Sequence, residues 1–271
     1  MNSGAALPAA PSGGIRRSVD LFRAFRLEQS DPDAFYRLQA ADTMVQLERD
    51  LSLKGARVLD VGGGGGYFSE AMAAQGADVV LVEPEAGSPL PLALSDDPAH
   101  LDQEDRHRRA VWPGRLVPGR TISGDGNRLP FAAGSFDLTF SSNVLEHVAD
   151  PRRFIEESIR VTRPGGIIYV SHTAWFSPWG GHETSPWHFL GGHYAARRYE
   201  RQHGRPPGNL YGVSLFRCDV REVLEIVRAR PDVELLRAEP RYYPSWLGWI
   251  VRLPWLRELL TWNLAVTLRR R

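Results

Sequence analysis

Five consecutive glycines, residues 62–66, follow directly on Val58-Leu59-Asp60-Val61, and nothing else in the chain narrows its fold as much. A short β-branched run passing into a turn without side chains, and then into Tyr67-Phe68-Ser69, reads as strand, glycine turn and helix. Such a turn lets a ligand approach the backbone with no Cβ in the way. The helix behind it presents unpaired N–H groups. Several nucleotide-like ligands use that geometry, and a plain tight turn is the alternative. Two details separate the options. A dinucleotide fingerprint needs Gly-x-Gly-x-x-Gly, and every start within the run meets Tyr67, Phe68 or Ser69 at the third glycine. Asp60, two residues before the first glycine, suits a cationic amino-acid ligand and repels a pyrophosphate. No Gly-Lys-Ser/Thr follows, so a P-loop is excluded.

Strands and helices alternate around this turn. Residues 34–51 have helical spacing (Phe35, Leu38, Met44, Leu47, Leu51) behind a start signal at Asp31-Pro32-Asp33. Strands are expected at 57–61, 78–83, 121–122, 136–141 and 167–171, with helices at 67–75 and 151–162. This rhythm predicts an α/β fold with a doubly wound, mostly parallel sheet covered by helices on both faces. The tail breaks the pattern. A helix over 219–230 precedes strands at 233–239 and 262–268, and an aromatic, proline-interrupted insert at 242–260 lies between them. Two late strands joined this way predict an antiparallel hairpin closing the sheet.

Acidic residues recur where strands end. Glu83 lies about twenty residues past the glycine turn, where a carboxylate can accept both hydroxyls of a ribose; a solvated strand-end acid is the other reading. Asp125, in Gly124-Asp125-Gly126, can accept from an adenine amino group.

Taken in order, these segments resemble a known family. Val-Leu-Asp-Val with its glycines, Val-Glu83-Pro, Gly-Asp125-Gly, Leu-Pro-Phe with Ser-Phe-Asp137, Asn143-Val-Leu-Glu-His147-Val and Arg163-Pro-Gly-Gly166 look like the UbiE/UbiG-type class I S-adenosylmethionine-dependent methyltransferases (methyltransferase type 11). The chain also resembles uncharacterised actinobacterial members. The resemblance spans roughly residues 55–173 and implies a Rossmann-like seven-stranded sheet of order 3-2-1-4-5-7-6 with an antiparallel last strand. It implies S-adenosyl-L-methionine as cofactor. Asp60, Gly62 and Gly64 would line its methionine and ribose portion, Glu83 would hold the ribose hydroxyls, Asp125 and Gly126 would flank the adenine, and Asn143 would meet the methionine end. Glu146 and His147 fall where an acid of some relatives approaches the acceptor or a metal. Helix packing and capping are the plainer role for both. One departure is the stretch between Glu83 and Gly124, with Pro84, Pro89, Pro91, Pro98 and a charged run over 102–109, which reads as a loop with a surface helix.

The acceptor side is expected after the fifth strand, since open α/β sheets bind ligands at the carboxyl ends of their strands. Residues 172–216 are rich in Trp, His and paired Gly and read as an acceptor lid. An oxygen acceptor needs a base, and His182, Glu183, His188 and His147 are the candidates, with His172 and His193 behind them. His182, Glu183, His188 and His193 match no standard ligand spacing, so no metal is assigned. Arg197, Arg198, Arg201 and Arg205 are basic residues for an anionic acceptor or simply a solvated helix face. Trp246, Trp249 and Trp255 in the insert suit a membrane interface, a dimer contact or a roof over the cofactor, with the balance toward the interface.

Bulk properties set the remaining bounds. With 33 Lys and Arg against 32 Asp and Glu, no global field recruits nucleic acid. Cys218 is the sole cysteine, which excludes an intrachain disulfide and fits a reducing cytoplasm. Residues 1–14 lack the basic-then-apolar pattern of a secretory signal and read as a disordered leader before one domain over 15–271. The expectation is a cytoplasmic methyltransferase, at the inner face of the membrane if the insert meets lipid. Its acceptor is an oxygen of a lipid, a lipid-linked glycan or a small metabolite. A cofactor-binding regulator or scaffold without turnover, and a nicotinamide oxidoreductase, are the competing readings.

Overall fold

Short runs of β-branched and leucine residues become the strands of one sheet, and their burial follows from having helices on both sides. In the computed structural model the described residues are 14–25, 27, 30–84 and 121–271. Residues 1–13 of the expected leader and the proline-rich, charged stretch over 85–120 lie outside them. The strands are β1 (Arg57–Val61), β2 (Asp78–Glu83), β3 (Thr121–Ser123), β4 (Phe136–Ser142), β5 (Thr162–Thr173), β6 (Val233–Pro240) and β7 (Asn263–Arg270). They form a seven-stranded sheet of order β3-β2-β1-β4-β5-β7-β6, as expected from the resemblance. The pairs from β3 through β5 are parallel, and β7 runs antiparallel to both β5 and β6. The hairpin read from the tail is therefore present, with its insert between β6 and β7.

The helices are α1 (Gly14–Ala24), α2 (Pro32–Leu47), α3 (Tyr67–Ala74), α4 (Pro151–Val161), α5 (Gly192–His203), α6 (Val220–Arg228) and α7 (Pro254–Leu260). On one face, α2 and α3 pack Met44, Leu47, Phe68 and Met72 against Val58, Leu138 and Tyr169. On the other, α4 and α6 pack Phe154, Ile155, Ile159, Val223 and Val227 against Leu59, Val61, Ile168 and Val266. Each such apolar side chain taken fully from water contributes roughly 1.5–3 kcal/mol, which is why residues pointing to opposite faces of β1 are equally buried. Helix starts follow capping chemistry. Asp31 accepts from the Ala34 amide at 3.1 Å and Asp150 from the Arg153 amide at 3.0 Å, each ahead of a proline in the first turn.

Two elements differ from the sequence reading. Helix α1 starts at Gly14, where a leader was expected to end and no helix was read. Its Ser18, Leu21 and Ala24 are buried, while Phe22 and Phe25 pack on Tyr242, Tyr243, Trp262 and Trp179. The spacing 18, 21, 22, 25 carries a helical signal, hidden by the polar residues around it. Strand β5 begins at Thr162, five residues before the expected start, because Thr162 pairs with Phe136 across a register shift in β4.

Candidate functional site

The glycine turn sits at the carboxyl end of β1, pinned to β2 by the Gly62 amide donating to the Val82 carbonyl at 2.8 Å. Gly62, Gly64 and Gly66 have φ of 74°, 54° and 75°, a region that L side chains rarely adopt. Gly63 is excluded from carrying a side chain for a different reason. A Cβ there would lie 2.5 Å from Asp60 Oδ2 and 2.5 Å from Leu81 Cδ1. Gly63→Ala is accordingly expected to cost about 1–3 kcal/mol by overpacking, seen as a drop of several degrees in thermal unfolding. An unchanged midpoint would show that the turn is looser than its packing implies.

Asp60 is fully buried. Its Oδ2 accepts from Ser69 Oγ at 2.6 Å, whereas Oδ1 has no partner in the protein. Glu83 is also buried and accepts from the Gly64 amide through Oε1. Burial pushes each carboxyl up to about 7, opposed by these hydrogen bonds, and for Glu83 the nearby Asp60 charge adds to the rise. Two buried acids flank a turn that is bare of side chains. An orphaned buried carboxylate oxygen needs a cation or a donor, so the residues fit a ligand with a cationic amino-acid end and sugar hydroxyls.

Gly126 lies one strand further out, beneath Phe154, with no room for a Cβ. Asp125 is exposed at the sheet edge and accepts from the Asn127 amide at 2.8 Å. Asn143 follows β4 with φ 58°, an uncommon conformation for a residue other than glycine. Its Oδ1 accepts from Asn263 Nδ2 at 2.8 Å and from Arg241 at 3.4 Å.

The acceptor-side candidates divide. A 3₁₀ turn over Leu145–His147 and another over His182–Thr184 bring His147 and His182 together, with ring centroids 5.1 Å apart. Glu146 joins them, and its Oε1 accepts from the Thr173 amide at 3.0 Å. Burial, with the neighbouring His147, pushes His182 down to about 4, so its ring is neutral at ordinary pH. Glu183 points elsewhere. Its carboxylate accepts from Asn209 and lines an outer cleft with Trp187, Arg198 and Tyr199. His188 is fully buried, with Nε2 against the Trp175 and Ser177 carbonyls and Nδ1 against Ser185 Oγ. Both of its nitrogens are thus engaged inside the loop. His172 is buried with neither nitrogen partnered, and exposed His193 packs edge-on against Tyr211. The set His182, Glu183, His188 and His193 is not what the fold assembles.

Sequence reasoning missed an arginine brace behind Asn143. Arg241, buried on leaving β6, donates to Ser142 Oγ, Ser171 Oγ and Thr43 Oγ1 at 2.8, 3.1 and 3.0 Å. Arg17 on α1 forks onto Asp42 and donates to the carbonyls of Arg241 and Tyr243. No local pattern marks these residues, because their partners lie up to 226 positions away.

Residues 59–170 match the family described as a methyltransferase domain. An uncharacterized methyltransferase of Mycobacteroides abscessus is 44% identical over 264 residues, covering 95% of each chain. One from Mycolicibacterium gilvum is 43% identical over 262 residues, covering 94% of each. In fold, the chain is similar to an S-adenosylmethionine-dependent methyltransferase from Mesorhizobium loti, with a TM-score of 0.52 at 20% identity, over 85% of this chain and 98% of that one.

Proposed function

We propose, from the premise that this chain belongs to the type 11 class I S-adenosylmethionine-dependent methyltransferases, that it methylates an oxygen of a lipid, a lipid-linked glycan or a small metabolite. The observation that carries the cofactor half is the pair of buried acids, Asp60 and Glu83, on either side of the left-handed glycine turn. When bound, S-adenosylmethionine supplies a methyl carbon already activated by its sulfonium. Asp60 Oδ1 would take the methionine ammonium, Glu83 the ribose hydroxyls, and Asp125 with Gly126 the adenine. Asn143, fixed by Asn263 and Arg241, would position the methionine end. Holding two reactants in line and excluding water is most of what such a displacement requires. The cluster of Glu146, His147 and His182 is where the acceptor proton would be handled. The segment 172–216 would close over it as a lid.

The lipid-side reading rests on the insert. Trp246, Trp249, Leu253, Trp255 and Leu259 are 62, 47, 42, 87 and 58% exposed, with Arg252 exposed beside them. So much exposed tryptophan and leucine next to arginine is the composition of a segment lying at a lipid surface. No helix among the described residues is long and apolar enough to cross a membrane. We propose that the protein works in the cytoplasm and meets the inner face of the membrane through this patch.

Two measurements test the reading. Incubation with methyl-labelled cofactor and fractionated cell extract should put label into an acceptor that is stable to mild base, as an ether is. Cofactor binding with no label in any fraction would favour the regulatory or scaffold alternative. In flotation with anionic liposomes the protein should rise with the lipid, and the triple variant Trp246→Ser, Trp249→Ser, Trp255→Ser should stay at the bottom. Equal flotation of the two would sink the membrane contact.

A further inference from the structure

We propose that Glu146, His147 and His182 form a binding site for a divalent metal ion of the zinc type, with a coordination position left for the acceptor oxygen. One ligand atom from each residue lies within 4.8 Å of the other two. Ligands on a tetrahedral zinc at about 2.0–2.1 Å stand roughly 3.4 Å apart, so the three atoms need to close by about 1.4 Å at most.

The protein atoms around the cluster are arranged as a metal requires. Glu146 is 1% exposed, and with Oε1 held by the Thr173 amide its Oε2 has no partner. Nε2 of His182 is likewise enclosed and unpartnered. His147 Nδ1 meets the Ser214 carbonyl at 2.6 Å, and a carbonyl can only accept, so Nδ1 carries a hydrogen and Nε2 is the nitrogen left to ligate. Holding a histidine by a carbonyl on its far nitrogen is the usual way a ligand ring is oriented and its tautomer fixed. His182 keeps φ 48°, a strained conformation that persists only when its surroundings demand it.

A plain hydrogen-bonded trio explains less. Glu146 Oε2 and His182 Nε2 are both buried without a partner, in residues that each bring a ligand atom within 4.8 Å of the other's, and a buried orphan is costly. A single cation would satisfy both together with His147. Two imidazoles and one carboxylate are a borderline donor set that suits zinc and its neighbours, whereas magnesium and calcium prefer oxygen alone. Thr173 and Asn263 link this cluster to Asn143, the Asn263 amide reaching Thr173 Oγ1 at 3.5 Å and Asn143 Oδ1 at 2.8 Å. The site thus adjoins the expected methionine end of the cofactor.

The use of the ion rests on the methyltransferase reading, although the site does not. An acceptor hydroxyl bound to it would lose its proton to water more readily. The oxygen lone pair would then form the new O–CH3 bond while the S–CH3 bonding pair returns to sulfur.

The test uses the full chain, stripped with a chelator and titrated with Co2+ as a visible stand-in for zinc. One equivalent should bind and give the d–d bands of a low-coordinate ion, with zinc displacing it. His147→Ala and His182→Asn, the second chosen because asparagine tolerates the left-handed backbone, should each weaken uptake by about 100-fold. His193→Ala, outside the cluster, should bind as the parent does. Circular dichroism and binding of S-adenosylhomocysteine are followed on every sample. A folded wild type that takes up no cobalt, or folded cluster variants that bind it as the parent does, would overturn the site. If S-adenosylhomocysteine still binds, the methyltransferase reading survives that result. Cobalt bound by a protein that ignores S-adenosylhomocysteine would leave the site standing and sink the cofactor reading instead.

Discussion

Glu83→Ala should weaken binding of both S-adenosylmethionine and S-adenosylhomocysteine by about 100-fold, measured by calorimetric titration at pH 8. Two charge-assisted hydrogen bonds to ribose hydroxyls, at roughly 1.5 kcal/mol each, the low end of their range, set that scale. The substitution also strips the Gly64 amide of its acceptor. Wild-type affinity for S-adenosylmethionine should vary with pH, and its sign follows from burial. Asp60 and Glu83 both titrate near 7, and a cationic ligand prefers their ionised forms. Binding should therefore be tightest above pH 7 and weaken below it, by up to about tenfold per pH unit for each acid, with protons released on binding. Asp60→Asn should remove its share of that slope. The folded state holds these protons more tightly than the unfolded chain, so their contribution to stability falls as pH rises from about 4 to about 7. Asp60→Asn, which cannot ionise, should consequently unfold at a higher temperature than the parent at pH 8 while binding cofactor less well. Affinity that is flat with pH and indifferent to Glu83 would remove the basis for the cofactor site.

The second large effect is expected at Arg241. Replacing it with Met keeps much of the volume but leaves Ser142, Ser171 and Thr43 hydroxyls without their buried donor and removes one support of Asn143. Losing a buried, multiply bonded guanidinium costs about 3–5 kcal/mol, which at about 2–4 °C per kcal/mol for a chain of this size lowers the unfolding midpoint by roughly 6–20 °C. Arg17→Met should cost less. Its fork onto Asp42 is only partly buried, and solvent screens what it contributes. A midpoint for Arg241→Met within a degree or two of the parent would show that the brace is not what holds the end of the sheet.

What the sequence determined on its own is local or periodic. The glycine run after β1, the apolar alternation of the strands and the caps at Asp31 and Asp150 each depend on neighbours within a few positions, so the alternating βα order was legible. The buried acids Asp60 and Glu83 could be named as candidates because strand ends are read along the chain. Tertiary structure decided whatever joins distant segments. Among four bases proposed from one aromatic, histidine-rich stretch and the segment after β4, only the fold could show that His182 lies beside His147 and Glu146 while Glu183 faces an outer cleft and His188 is spent on its own loop. The same holds for Arg17 and Arg241, whose partners lie on other elements. Side-chain chemistry is written residue by residue, but which groups share a site depends on loop paths across the sheet, and those paths are set by the packing of the whole chain.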